Sequence, residues 1–268
     1  RSPDDPMTSW TVLLSDPAGV DGGLLASFFA AEQKIPLIDA QRGARHAWGF
    51  LGRDLDEAKA RALVKSAENV GIKARVVETK NIPVLSDPSS FHGVHFEPDS
   101  LTFSIGHPSK ILAHPLSNIQ LLSVAMLRQD RFVTKTTREE VTTGRRIAGL
   151  GIMLATGIPV GMGKAKETQK TVAETEWVLF LDVFGRGVRW RAVPAGFDFS
   201  GLGPEKGSVG PDNLRRLLAR IHRLAPTALL NRGARWWLES RPLNGAGYDE
   251  LSDVDQEARW LLTLAGCP

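Results

Sequence analysis

EWVLFLDVFGRGVRWRAV, residues 176–193, is the stretch on which the fold turns. Val178, Phe180 and Asp182 alternate with Leu179, Leu181 and Val183, and a period of two is that of a strand. The run RGVRWRA resumes across GRG, so the segment reads as a β-hairpin closed on a glycine turn. Upstream, LTFSI, KILA and IQLLSVAML read as further strands, and downstream FDFSGL reads as the last one. GSVGPDNLRRLLARIHRLAP then changes period: Leu214, Leu217, Leu218, Ile221 and Leu224 form one apolar stripe with arginines opposite. That is an amphipathic helix, and Pro226 ends it. Residues 96–235 are therefore expected to be a mainly β domain ending in one amphipathic helix.

The N-terminal part has a different rhythm. WTVLL reads as a strand closed by SDPAG, and GGLLASFFAAEQ as a short helix carrying Leu25, Phe28 and Phe29 on one face. Pro36 suits the start of a second helix, and HAWGFLG reads as a strand. DLDEAKARALVKSAENVG is the clearest helix. Asp54 is the expected N-cap, with Glu57 three residues on, and Gly71 ends it. IKARVVE follows as a strand. The order β-α-α-β-α-β over residues 8–80 predicts a small α+β sandwich, one sheet covered by helices. NIPVLSDPSSFHGVH, residues 81–95, is rich in Pro and Ser and is expected to be the interdomain linker. ARWWLES and QEARWLLTLAG make residues 236–268 a C-terminal helical extension, the last helix starting at Ser252 with Asp255. The tryptophans are expected mainly in the core, with a lesser use as interface anchors.

Composition excludes several chemistries. The 268 residues suit two domains, and the single cysteine, Cys267, rules out an internal disulfide framework or a multi-thiolate zinc site. Residues 86–240 carry 20 basic against 14 acidic side chains. That excess is mild, and nucleic acid is not an expected partner. His92, His95, His107 and His114 crowd together, yet His92 and His95 fall in the expected linker, where no helix aligns them as ligands; no metal is expected. Neither an HExxH helix nor a GxSxG elbow occurs. Catalytic residues and cofactors are accordingly not expected, and a scattered active site is the third-ranked alternative. RSPDDP lacks the basic start and apolar core of a secretory signal, so the expectation is cytoplasmic.

Two resemblances add to this reading. WTVLL and GFLGRDLDEAKARALVKSAENVGIKARVV resemble the ferredoxin-like C-terminal domain of the bacterial ribosomal stalk protein. That resemblance implies docking of partner proteins through basic residues of its helices, here Lys59, Arg61 and Lys65. LTFSI, HPLSNIQLLSVAML, EWVLFLDVF and NLRRLLARIHRL resemble pleckstrin-homology and GRAM-like barrels, in which a C-terminal helix plugs a bent sheet. Lipid-binding members carry several basic residues on the first hairpin; SIGHPSKILAH offers only Lys110.

GRRIAGLGIMLATGIPVGMGKAK, residues 144–166, interrupts the second domain. Ile147 to Gly163 are seventeen uncharged residues with five glycines and Pro159. A membrane-spanning helix needs about 20 apolar residues, and this run lies between strands of one sheet. It matches neither the phosphate-binding loop, since five residues separate Gly157 from Gly163, nor the dinucleotide fingerprint. Residues 141–175 are expected to be a long insertion between two strands. Arg128, Arg131, Lys135, Arg145, Arg146 and Lys164 are the candidate residues for a partner or an anionic surface. The expected function is non-enzymatic binding, an adaptor acting through contacts with an unidentified protein partner. The alternative is peripheral association with an anionic membrane through the basic, glycine-rich insertion.

Overall fold

A computed structural model describes residues 8–106, 108–138 and 167–266. The chain is mixed α+β and forms two compact units, Arg1–Leu127 with Val178–Pro268, and Arg128–Trp177. Ten strands and six α-helices are described. In the second unit, the described residues lie on two long strands, and the sequence-derived candidates Arg128, Arg131 and Lys135 all fall on the first of these. Arg145, Arg146 and Lys164 lie outside the described residues, as does the apolar run itself.

The first unit begins as expected. Strand β1 (Trp10–Leu14), helices α1 (Gly22–Gln33) and α2 (Leu37–Arg45), β2 (Phe50–Leu55), α3 (Glu57–Asn69) and β3 (Ala74–Glu78) follow in the order β-α-α-β-α-β. Their sheet runs β2-β1-β3, antiparallel throughout. Val12 and Leu13 of the central strand are wholly buried among Leu25, Phe28 and Phe29 of α1 and Ala60 and Ala67 of α3. The N-cap of α3 is Asp56, whose carboxylate accepts the Lys59 N–H at 2.8 Å, and not Asp54. The cause is register: β2 still pairs at Leu55 with Trp10, so Asp54 belongs to the strand end, with φ at 51°.

The second sheet has seven strands in the order β10-β7-β8-β9-β4-β5-β6. These are β4 (Ser89–Phe96), β5 (Ser100–Ile105), β6 (Lys110–Pro115), β7 (Ile119–Arg138), β8 (Glu167–Gly185), β9 (Val188–Ala192) and β10 (Leu229–Leu230). The hairpin that opened the sequence reading is present, with Val183 opposite Trp190 and Gly185 opposite Val188. Two pairings are parallel, β4 with β9 and β10 with β7. Three boundaries differ from expectation. The latter part of the stretch read as linker, residues 89–95, belongs to β4, because Phe91 and Val94 carry a buried face into the core despite the Pro/Ser flank. FDFSGL is not a strand: Ser200–Glu205 forms a 3₁₀ turn, with Asp198 turned back onto Ser200. Residues 167–175, expected in the insertion, belong to β8.

Helix α4 (Gly210–Leu224) lays Leu214, Leu217, Leu218 and Ile221, all wholly buried, against Phe103, Leu181 and Val183 of this sheet. Two further helices complete the unit, α5 (Arg232–Leu238) and α6 (Leu251–Leu264). The start of α6 is Glu250 with Asp253, two residues before the expected Ser252 and Asp255, because the Asp253 carboxylate accepts the N–H groups of Asp249 and Glu250. Ala258, Trp260 and Leu261 of α6 share a core with Phe28, Leu51 and Ile72 of the small sheet's layer. The last helix is thus a wall of the core. No helix among the described residues is long and apolar enough to cross a membrane.

Candidate functional site

Within the first unit, the loop after β1, the adjoining ends of α1 and α2, α5 and α6 enclose a cleft of about 560 Å³. That volume lies in the range of small-ligand pockets, about 300–1,000 Å³. Four arginines line it: Arg45 of α2, Arg232 and Arg235 of α5, and Arg241 just beyond. The carboxylates are Glu239 and Glu257.

The floor is a set of interlocked aromatic and polar side chains. Trp48 stacks on Tyr248 with centroids 4.8 Å apart and donates its indole N–H to Asp253 Oδ1 at 2.7 Å. Trp260 donates to the Leu14 carbonyl at 2.8 Å. Gly49 has φ at 85°, and a Cβ there would lie 1.9 Å from the Trp260 ring, so only glycine lets the chain pass. Its neighbour Trp48 also has positive φ, 46°, a conformation that a bulky residue adopts only when its surroundings enforce it. Sequence reading made HAWGF a strand; these two left-handed residues turn the chain there instead.

Beneath lies a buried hydrogen-bond network. Asn231 is wholly buried, accepts from Val124 N at 2.9 Å and donates to Val124 O at 3.0 Å, extending the β10–β7 ladder with its side chain. The Tyr248 hydroxyl accepts from Asn231 Nδ2 and from Gly233 N and donates to Glu257 Oε2. Glu257 Oε1 accepts the Arg232 backbone N–H at 2.9 Å. Burial raises the Glu257 carboxyl above its ordinary pKa, against the Tyr248 hydrogen bond and the Arg232 N–H that favour the ionised form. Burial and then the adjacent carboxylate push the Tyr248 hydroxyl well above its usual value.

Arg232 and Arg235 are held by backbone carbonyls. Arg232 donates Nη1–H to the Ala246 carbonyl at 3.3 Å and lies 4.9 Å from the centre of the Trp48 ring. Arg235 donates to the Pro17 carbonyl at 2.5 Å. Arg241 covers the Trp236 ring at 3.8 Å and reaches Glu239 at 3.6 Å. Among the described residues, Arg45, Arg232 and Arg235 have no carboxylate within ion-pairing distance. Three guanidinium groups therefore face one cavity with Glu257, whose charge acts on Arg232 and Arg235 without a salt bridge, as their nearby carboxylate; a guanidinium presents several N–H donors in a plane suited to oxyanions.

The candidates read from sequence lie elsewhere. Arg128 is exposed on β7, and Arg131 and Lys135 follow on the same strand, in the second unit. Lys59, Arg61 and Lys65 are on α3, where Lys59 pairs with Asp56 and Arg61 with Glu57. His92 and His95 lie on β4, and His107 is outside the described residues. His46, Asp249 and Asp253 have ligand atoms within 4.8 Å of one another. Asp253 is already used, however, by the Trp48 indole and by the backbone that starts α6. Trp190 and Trp260 are core residues as expected, at 2% and 3% exposure, whereas Trp177 is 53% exposed.

Searches of protein-family models, curated proteins and solved structures gave no match to this chain.

Proposed function

We propose that the chain is a non-enzymatic binding protein, an adaptor whose first unit captures an acidic segment of a partner protein in the arginine cleft. One observation carries this reading: Arg45, Arg232 and Arg235 line a single cavity with no carboxylate paired to them. Three like charges gathered around the one carboxylate of Glu257 raise the free energy of the empty cleft, and an incoming anion relieves it. Arginine and tryptophan are also the residues in which interface hot spots are richest. The pleckstrin-like and stalk-like resemblances belong to the same proposal. Support comes from the β-α-α-β-α-β order and from α4 lying across the larger sheet. The two parallel pairings are where that sheet departs from an all-antiparallel barrel.

The test is fluorescence anisotropy with a labelled glutamate-rich octapeptide and its glutamine counterpart. The acidic peptide should bind, with affinity falling as salt rises, and Arg45→Glu should abolish the signal. Equal anisotropy for the two peptides would remove the basis of the proposal.

Peripheral membrane association is the second reading, favoured by the exposed pair Arg128 and Trp177, on strands adjacent in the sheet. An exposed cation and an exposed amphipathic indole on neighbouring strands suit a lipid interface. Co-sedimentation with vesicles containing about one-third phosphatidylserine tests it: binding lost on Trp177→Ala supports this reading, and no binding removes it.

A further inference from the structure

We propose that the arginine cleft is specific for a phosphomonoester group, a doubly charged tetrahedral oxyanion. This rests on the reading of the cleft as a ligand site and goes further by naming what it selects.

The first argument is charge. Four arginines and two glutamates line the cleft. With Glu257 ionised the surplus is two positive charges, and Glu257 has reason to be ionised. The Tyr248 oxygen already accepts from Asn231 Nδ2 and Gly233 N, so its own proton has Glu257 as the acceptor. A phosphomonoester carries about two negative charges at neutral pH, which matches; a single carboxylate leaves one guanidinium charge uncompensated.

The second argument is the number and anchoring of the donors. Arg232 and Arg235 each spend an N–H on a backbone carbonyl, Ala246 and Pro17, and so are fixed without a salt bridge to a carboxylate among the described residues. Arg45 comes from another helix, and its side chain makes no hydrogen bond or ion pair among the described residues. Three guanidinium groups suit the three peripheral oxygens of a phosphomonoester, whereas a planar carboxylate offers two. Phosphodiesters of nucleic acid carry one charge per phosphate and fit the surplus less well.

The third argument concerns the nearby helix. The first N–H groups of α1 are not available: Asp21 already accepts from Gly23 N and Leu24 N, both at 2.9 Å. Recognition of the anion therefore falls to the arginines, and arginine substitutions report on it directly.

Isothermal titration calorimetry of the full chain at constant ionic strength and about pH 7.5, where a phosphomonoester is a dianion, tests this. The ligands are O-phosphoserine, succinate and acetate, together with a hexapeptide bearing one phosphoserine and otherwise uncharged side chains. O-phosphoserine should bind about tenfold more tightly than succinate, and acetate weakest. Arg45→Gln, exposed and unpartnered, should weaken phosphoserine binding about tenfold; Arg61→Gln on α3 should leave it unchanged. Succinate binding as tightly as phosphoserine, or an Arg45→Gln variant that binds like the parent, would overturn the assignment. Both sources of the group fit: tighter binding of the phosphopeptide points to a modified protein segment, equal binding to a small phosphorylated metabolite. If the glutamate-rich octapeptide binds and phosphoserine does not, this inference fails while the proposed function stands. If neither binds, both fail.

Discussion

Two arginine clusters sit in the first unit, and they differ in what surrounds the charge. On the β8–β9 hairpin, Arg189 and Arg191 both grip Asp182, which is wholly buried, at 2.6–2.9 Å, and Arg189 also reaches Asp255 at 2.8 Å. Two positive charges meet two negative ones. Burial opposes the charge on Arg189, and the two carboxylates outweigh that cost, so its pKa is held above the ordinary value. In the cleft, Arg232 and Arg235 meet carbonyls and an indole, and among the described residues only Arg241 reaches a carboxylate, the exposed Glu239. A closed ion network fixes a hairpin; an open one is left to be completed by something else.

The largest effect should come from breaking the closed network. Asp182→Asn leaves Arg189 buried beside a neutral amide, and removal of one partner of a buried pair costs about 3–5 kcal/mol. Urea denaturation should show that loss with the cleft's anion binding intact in the folded fraction. A smaller loss would mean that water reaches the hairpin and that the two clusters are more alike than their geometry implies.

Gly49→Ala attacks the floor of the open cluster. Overpacking against Trp260 costs about 1–3 kcal/mol, with strain at φ 85° added. Both the denaturation midpoint and ligand affinity should fall, because the Trp260 wall moves.

Glu257 sharpens the contrast through pH. Its pKa is raised in the folded chain, so the native state holds the proton more tightly than the unfolded one, and stability from this group falls as pH rises. The parent should lose stability relative to Glu257→Gln from about pH 4.3, the ordinary carboxyl value, up to the raised native value. Above that the difference should stay flat. Urea midpoints across pH measure it, and an opposite slope would mean that the Tyr248 and Arg232 hydrogen bonds overcome burial.

The smallest effect on stability belongs to Arg45→Ala. The side chain is exposed and bonds to nothing, so the midpoint should move by no more than about 0.5 kcal/mol. Its consequence should appear in binding alone.

The fold was largely legible in the chain and the cleft was not. Strong periodicity located the hairpin at 176–193, the α4 stripe and the β-α-α-β-α-β order, since a buried face leaves its spacing in the sequence. Errors fell where local chemistry competed with that signal. Asp54 resembled a cap because Glu57 lies three residues on, yet Asp56 sits where the strand lets go. The Pro/Ser flank hid β4, whose buried residues are only Phe91, Gly93 and Val94. FDFSGL looked like a strand because Phe197, Phe199 and Leu202 are apolar, and they are buried in the core from an irregular segment. The cleft joins Arg45 to Arg232 and Arg235 across most of the chain, and what marks it is a surplus of positive charge, four arginines against two glutamates, a property of space rather than order. Arg232 and Arg235, three apart on one helix face beside Trp236, were the one local trace.

Hydrogen-exchange mass spectrometry with and without the acidic octapeptide tests the contrast most directly. Occupancy of the cleft should slow exchange in residues 17–23, 41–49 and 232–241 and leave the Arg189–Arg191 hairpin unchanged. Slowing confined to the hairpin, or no slowing anywhere at saturating peptide, would contradict the claim that the unpaired arginines form the binding site.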